Sequence, residues 1–114
     1  MELSETFSRV YEAVDGYKIY NAGKRDMNDA DTANLIYGEI PFHSMQEIFN
    51  IVKSKLDKCR IFYDLGSGAG RILVCAALLC PKLQKIVGVE LVPALNEAAH
   101  IAQSVLMKVN SESA

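Results

Sequence analysis

The stretch that most constrains the fold is Ile61-Phe62-Tyr63-Asp64-Leu65-Gly66-Ser67-Gly68-Ala69-Gly70. Apolar and aromatic residues lead to an acid, then to three alternating glycines, and an apolar helical pattern begins directly after Gly70. This order reads as strand, tight loop and helix, with the glycines letting backbone approach a ligand closely. The strand is placed at 60–64 and the helix at 71–80, stopped by Pro81. Lys85 to Glu90 reads as a second strand, apolar as in a strand covered on both faces. From Pro93 a last helix puts Leu95, Ala98, Ala99, Ala102, Val105, Leu106 and Val109 on one side. The polar tail from Ser111 to Ala114 is expected to fray.

Upstream, Leu3, Phe7, Val10, Tyr11 and Val14 repeat at steps of three and four, which predicts an amphipathic helix over 3–14 ended by Gly16. Tyr17 to Leu35 has no sustained period and collects Asn21, Gly23, Asp26, Asn28, Asp29 and Asp31, so it reads as a long loop. After Ile36-Tyr37-Gly38-Glu39-Ile40-Pro41 comes a second helical pattern, with Met45, Ile48, Phe49, Val52 and Leu56 on one face.

The sum is α/β: one right-handed βαβ unit of Rossmann-like type, preceded by helical elements. It divides into an N-terminal helical segment (1–58), a βαβα half-domain (59–110) and a tail (111–114). Two parallel strands cannot cover both of their faces or close their edges, so the sheet is incomplete. Either more chain follows residue 114 or a partner, including a second copy of the chain, supplies strands.

Composition narrows the function classes. The formal net charge of −2 offers no basic field for nucleic acid, so the chain carries no direct nucleic-acid signature. Cys59, Cys75 and Cys80 have neither zinc nor redox spacing. Cys75 and Cys80 fall in an apolar helix and read as core, which suits a reducing compartment. The N-terminus lacks a signal-peptide pattern, and no apolar run approaches the ~20 residues needed to span a bilayer. Nucleus or cytoplasm is the expected location, with no membrane partner.

The glycines Gly66, Gly68 and Gly70 are spaced GxGxG, and Arg71 occupies the place where a dinucleotide loop carries its third glycine. A loop without that glycine favours S-adenosylmethionine, which has no pyrophosphate, over NAD. Asp64 ends the strand where it can face the cofactor's ammonium, and the free N–H groups of the following helix suit its carboxylate. Glu90 ends the next strand, 26 positions on, and can accept from both ribose hydroxyls. His100 reads as solvated, and His43 as a capping or surface residue before a ligand contact. No cluster has metal-ligand spacing and no nucleophile–base pair is evident. That absence is compatible with methyl transfer, which needs alignment more than covalent catalysis. No catalytic residue is assigned.

Phe62-Tyr63-Asp64-Leu65-Gly66-Ser67-Gly68-Ala69-Gly70 resembles the first cofactor motif of class I methyltransferases, and Gly88-Val89-Glu90 resembles their second. With Tyr37-Gly38-Glu39 upstream, residues 17–105 are similar to the Dot-type (disruptor of telomeric silencing) histone-lysine methyltransferases. The resemblance implies S-adenosylmethionine as cofactor, S-adenosylhomocysteine as product, and a lysine of histone H3 in the nucleosome as substrate. It implies that Tyr37, Gly38 and Glu39 form a loop closing over the cofactor. Asp64 through Gly70, Leu65 and Ser67 included, would hold its methionine end, and Glu90 its ribose. Ile40 stands where the family usually has threonine, and Arg71 where it usually has Gln or Asn. The family's adenine-binding acid–aromatic pair and Asn-rich strand have no counterpart after Val92. The Asp-Leu-Gly-Ser-Gly-x-Gly-Arg run also resembles small lysine methyltransferases of mitochondrial proteins. The competing reading is a non-catalytic binding or assembly module that keeps the first half of the fold.

Overall fold

The computed structural model of the chain describes residues 2–24 and 37–113. Among the described residues, eight elements follow in order: α1 (Leu3–Val10), α2 (Gly16–Lys24), α3 (Phe42–Ile51), α4 (Lys53–Leu56), β1 (Ile61–Leu65), α5 (Arg71–Leu79), β2 (Lys85–Val89) and α6 (Pro93–Ser113).

The strands form a two-stranded parallel sheet, Ile61 opposite Lys85 through Leu65 opposite Val89. Side chains alternate across it. Phe62 and Asp64 turn to the helix-covered side, whereas Ile61, Tyr63 and Leu65 are exposed on the other. The apolar run of β2 predicts cover on both faces, yet Val89, like its partner Leu65, is exposed. Among the described residues the sheet is α/β and open. The expectation of an incomplete sheet therefore agrees with the fold.

The core lies on the covered side. Cys75 and Ala76 of α5 and Ala102 of α6 are fully buried, and Phe7, Val10, Met45, Phe49 and Leu95 are buried around them. Helix α6 matches its expected face, with Leu95, Ala98, Ala102, Leu106 and Val109 buried at helical spacing. Pro93 suits its first turn, where a missing N–H costs nothing. The segment expected as a tail from Ser111 is helical where it is described. The helix continues to Ser113, and Glu112 pairs with Arg9 of α1 at 2.9 Å.

Two upstream expectations are corrected. The first helix ends at Val10 and continues as turns, although Phe7, Val10, Tyr11 and Val14 are all buried as the periodicity requires. Gly16 begins a helix instead of ending one. The Asp15 carboxylate accepts the N–H of Lys18 at 3.1 Å, a side-chain N-cap that starts α2 inside the predicted loop. Tyr20 of α2 is buried, and α2 packs on α6. The rest of that loop, residues 25–35, lies outside the described residues, as does Ile36. The second predicted helix is split at Val52, whose φ of −100° and ψ of 10° separate α3 from α4. Met45 and Phe49 are buried while Ile48 is half exposed, so the apolar stripe is narrower than its spacing implies. Cys75 is core as expected, and burial pushes its thiol up to about 12.

Candidate functional site

The loop between β1 and α5 is shaped by its own backbone. Gly66, Gly68 and Gly70 have φ of 90°, 56° and 84°, in the left-handed region that side chains disfavour. The N–H groups of Gly66 and Ser67 donate to the Val89 carbonyl at 2.7 and 3.0 Å, and Gly70 N–H donates to the Ser67 carbonyl at 2.9 Å. The loop thus folds back across the end of β2. Gly88 makes room for it, because a Cβ there would lie 2.6 Å from Ser67 Oγ. Helix α5 then starts from Gly70 with no side-chain cap, leaving its first amides as free donors.

Two acids stand beside the loop. Glu90 Oε1 accepts the Gly68 N–H at 2.6 Å and Oε2 accepts the Val92 N–H at 2.9 Å. A carboxylate has about four acceptor positions, so each oxygen retains one. Asp64, at the end of β1, has its carboxyl pushed above the usual range, first by burial and then by the charge of Glu90.

The facing wall is aromatic. Tyr37 stacks on Tyr20 with centroids 5.5 Å apart and meets Tyr17 edge-on at 5.1 Å. Its hydroxyl donates to Glu39 Oε2, and the Glu39 N–H donates to Tyr17 Oη at 3.1 Å. Burial, then the bond to Glu39, push the Tyr37 hydroxyl well above its ordinary range. Glu39 Oε1 faces Arg71 Nε at 3.9 Å, an ion pair too long for a hydrogen bond. The guanidinium of Arg71 lies over the rings of Phe7 and Tyr11, at 4.8 and 5.1 Å, and its buried Nε has no hydrogen-bond partner among the described residues.

Between these walls lies a cleft of about 340 Å³. Of the residues singled out from sequence, Tyr37, Gly38, Glu39, Ile40, Asp64, Gly66, Ser67, Gly68, Arg71 and Glu90 line it. Three do not. Phe62 packs on Phe49 at 5.9 Å, Leu65 is 80% exposed on the open sheet face, and Gly70 lies against Ala99 behind the loop. The cleft also takes in Tyr20, Met45, Ile72, Leu91, Val92 and Leu95, which sequence reasoning did not single out as site residues. For Tyr20 the available signal was Asp15 three positions before Lys18, an N-cap pattern marking a helix in the predicted loop. No group of three or more His, Cys, Asp or Glu among the described residues is arranged to hold a metal ion.

A family model described as "Histone methylation protein DOT1" matches residues 21–112. No curated protein and no solved structure matches the chain.

Proposed function

Since the chain belongs to the DOT1 family of histone methylation proteins, we propose that its cleft is the S-adenosylmethionine site of a protein-lysine methyltransferase directed at histone H3. The two-stranded unit is then the opening βαβ of a Rossmann-like fold, acting on chromatin in the nucleus. One observation carries the reading: the glycine loop, both strand-end acids and the Tyr37-Gly38-Glu39 segment border a single cleft.

The donor and acceptor set fits the cofactor. Asp64 offers a carboxylate to an ammonium group, and the uncapped start of α5 offers N–H donors to a carboxylate. Arg71 Nε, buried and without a hydrogen-bond partner, adds a donor on the same side. Glu90 keeps acceptor capacity for ribose hydroxyls while its two bonds to Gly68 and Val92 fix its orientation. Tyr37 lies against Gly68, where a Cβ would come within 2.8 Å of its ring, so the aromatic wall closes directly on the loop. When bound, S-adenosylmethionine supplies a sulfonium methyl for in-line transfer to a neutral lysine amine. The chain's own contribution is to fix position and exclude water.

Calorimetric titration of the chain with S-adenosylhomocysteine tests the reading. Saturable binding is expected, weakened roughly tenfold or more by Glu90→Gln, because hydrogen bonds to a charged acceptor contribute about 1.5–3 kcal/mol each. Absence of binding by the unaltered chain overturns it.

A further inference from the structure

Helix α1 and the turn after it precede the residues that the family model matches, yet they touch the glycine loop directly. The Tyr11 hydroxyl, buried and 58 positions away in sequence, donates to the Ala69 carbonyl at 3.0 Å. Burial pushes this phenol well above its ordinary range, so it stays protonated and can only be a donor to that carbonyl. The Tyr11 ring also packs against Phe7 in a tilted contact, centroids 5.0 Å apart, and both rings lie against the Arg71 guanidinium at the first position of α5. Ala69 is the residue between Gly68, whose N–H is held by Glu90, and Gly70, from which α5 starts.

The loop is therefore held at three successive points. Glu90 fixes Gly68 from the β2 side, Tyr11 fixes Ala69 from the α1 side, and the Phe7–Tyr11 pair fixes the side chain of Arg71. Gly66, Gly68 and Gly70 give this loop little rigidity of its own, since glycine has the largest backbone freedom to lose. A hydrogen bond to the Ala69 carbonyl restricts the Ala69–Gly70 peptide plane, which lies between Gly68 and the start of α5.

We infer that Tyr11 is a positioning residue for the cofactor loop: by holding the Ala69 carbonyl it orders Gly68 to Arg71 into the conformation that receives the ligand. The inference rests on the proposed S-adenosylmethionine site for its ligand, but the ordering of the loop is measurable without any ligand.

Tyr11→Phe is the test, since it keeps the ring on Phe7 and Arg71 and removes only the hydroxyl. Amide hydrogen exchange of the ligand-free variant should accelerate about three- to tenfold in the segment 66–71, the range expected for losing one net hydrogen bond. The Kd for S-adenosylhomocysteine should rise by a similar factor at a temperature where both proteins are fully folded. Unchanged loop exchange overturns the inference. So does acceleration spread evenly over α1, α5 and α6, which is the mark of a bond that serves global stability alone. Faster loop exchange with an unaltered Kd also overturns it, because the loop would then be ordered without consequence for the ligand. Failure of the unaltered chain to bind S-adenosylhomocysteine overturns the positioning role together with the proposed function, and the exchange experiment still shows whether Tyr11 orders the loop.

Discussion

One wall of the cleft is made of backbone and the other of rings. On the sheet side, three positive-φ glycines, the Val89 carbonyl and the free amides of α5 set the surface, and their partners lie within about 25 positions of one another. On the opposite side Tyr17 and Tyr20 both pack on Tyr37, which reaches Arg71 through Glu39. The first wall is a local consequence of residue type, because glycine alone takes those dihedrals cheaply. The second exists only once separate segments meet. A substitution on the backbone wall should therefore destroy its shape, whereas one on the aromatic wall should loosen it.

The largest effect is expected at Gly68. Its φ of 56° disfavours any β-branched residue, and an added Cβ would sit 2.8 Å from Tyr37 Cε1. The left-handed backbone costs about 1–2 kcal/mol and overpacking about 1–3 kcal/mol more. Gly68→Val should weaken S-adenosylhomocysteine about a hundredfold by calorimetry, with both walls displaced. Retained affinity would break the comparison, since the loop would then not depend on backbone conformation.

A smaller effect is expected from Glu39→Gln on the aromatic wall. Glutamine keeps an acceptor for the Tyr37 hydroxyl but gives up the ion pair with Arg71, in which both side chains are mostly buried. At 3.9 Å without a hydrogen bond, and with the guanidinium still held over the Phe7 and Tyr11 rings, the loss should fall well below the ~3–5 kcal/mol of a close buried pair, so Kd should rise roughly three- to fivefold. A hundredfold loss here would reverse the ranking and make the aromatic wall the more exacting of the two.

The same contrast explains what could be read in the sequence. The strand–loop–helix unit, the incomplete sheet, both strand-end acids and the buried face of α6 follow from spacing and residue type within short windows. The partners of the Tyr37-Gly38-Glu39 segment do not. Tyr11 meets Ala69 across 58 positions, and no local pattern marks it as anything but one more apolar position in a helix. Helix α2 was hidden because Asp15-Gly16 reads equally as the end of one helix and the start of the next. The Asp15 bond to Lys18 decides between them. Leu65 belongs to the glycine motif by sequence but, by strand alternation, turns to the exposed face.

The two acids nearest the comparison, Glu39 and Asp64, yield its finest test. Glu39 is held by Tyr37 and Arg71, whereas the charge acting on Asp64 is that of Glu90, of like sign. With burial as the larger cause, the folded chain keeps a proton on Asp64 at pH values where the unfolded chain has lost it. Over that window the native state binds more protons, so this group's contribution to stability is greatest below the ordinary aspartate range and falls as pH rises through the folded value. Ligand binding should run the other way, because an ammonium is favoured only by ionised Asp64. Thermal melts across the acid range should show wild-type stability losing this increment with rising pH and Asp64→Asn lacking it. Affinity for S-adenosylhomocysteine should rise over the same window in wild type and stay flat in the variant. Opposite signs from one carboxyl are the signature of an acid that the fold strains and the ligand relieves. If the stability of the wild type does not fall over that window relative to Asp64→Asn, the fold does not strain this carboxyl, and if its affinity stays as flat as the variant's, the ammonium end must be assigned to another group on the backbone wall.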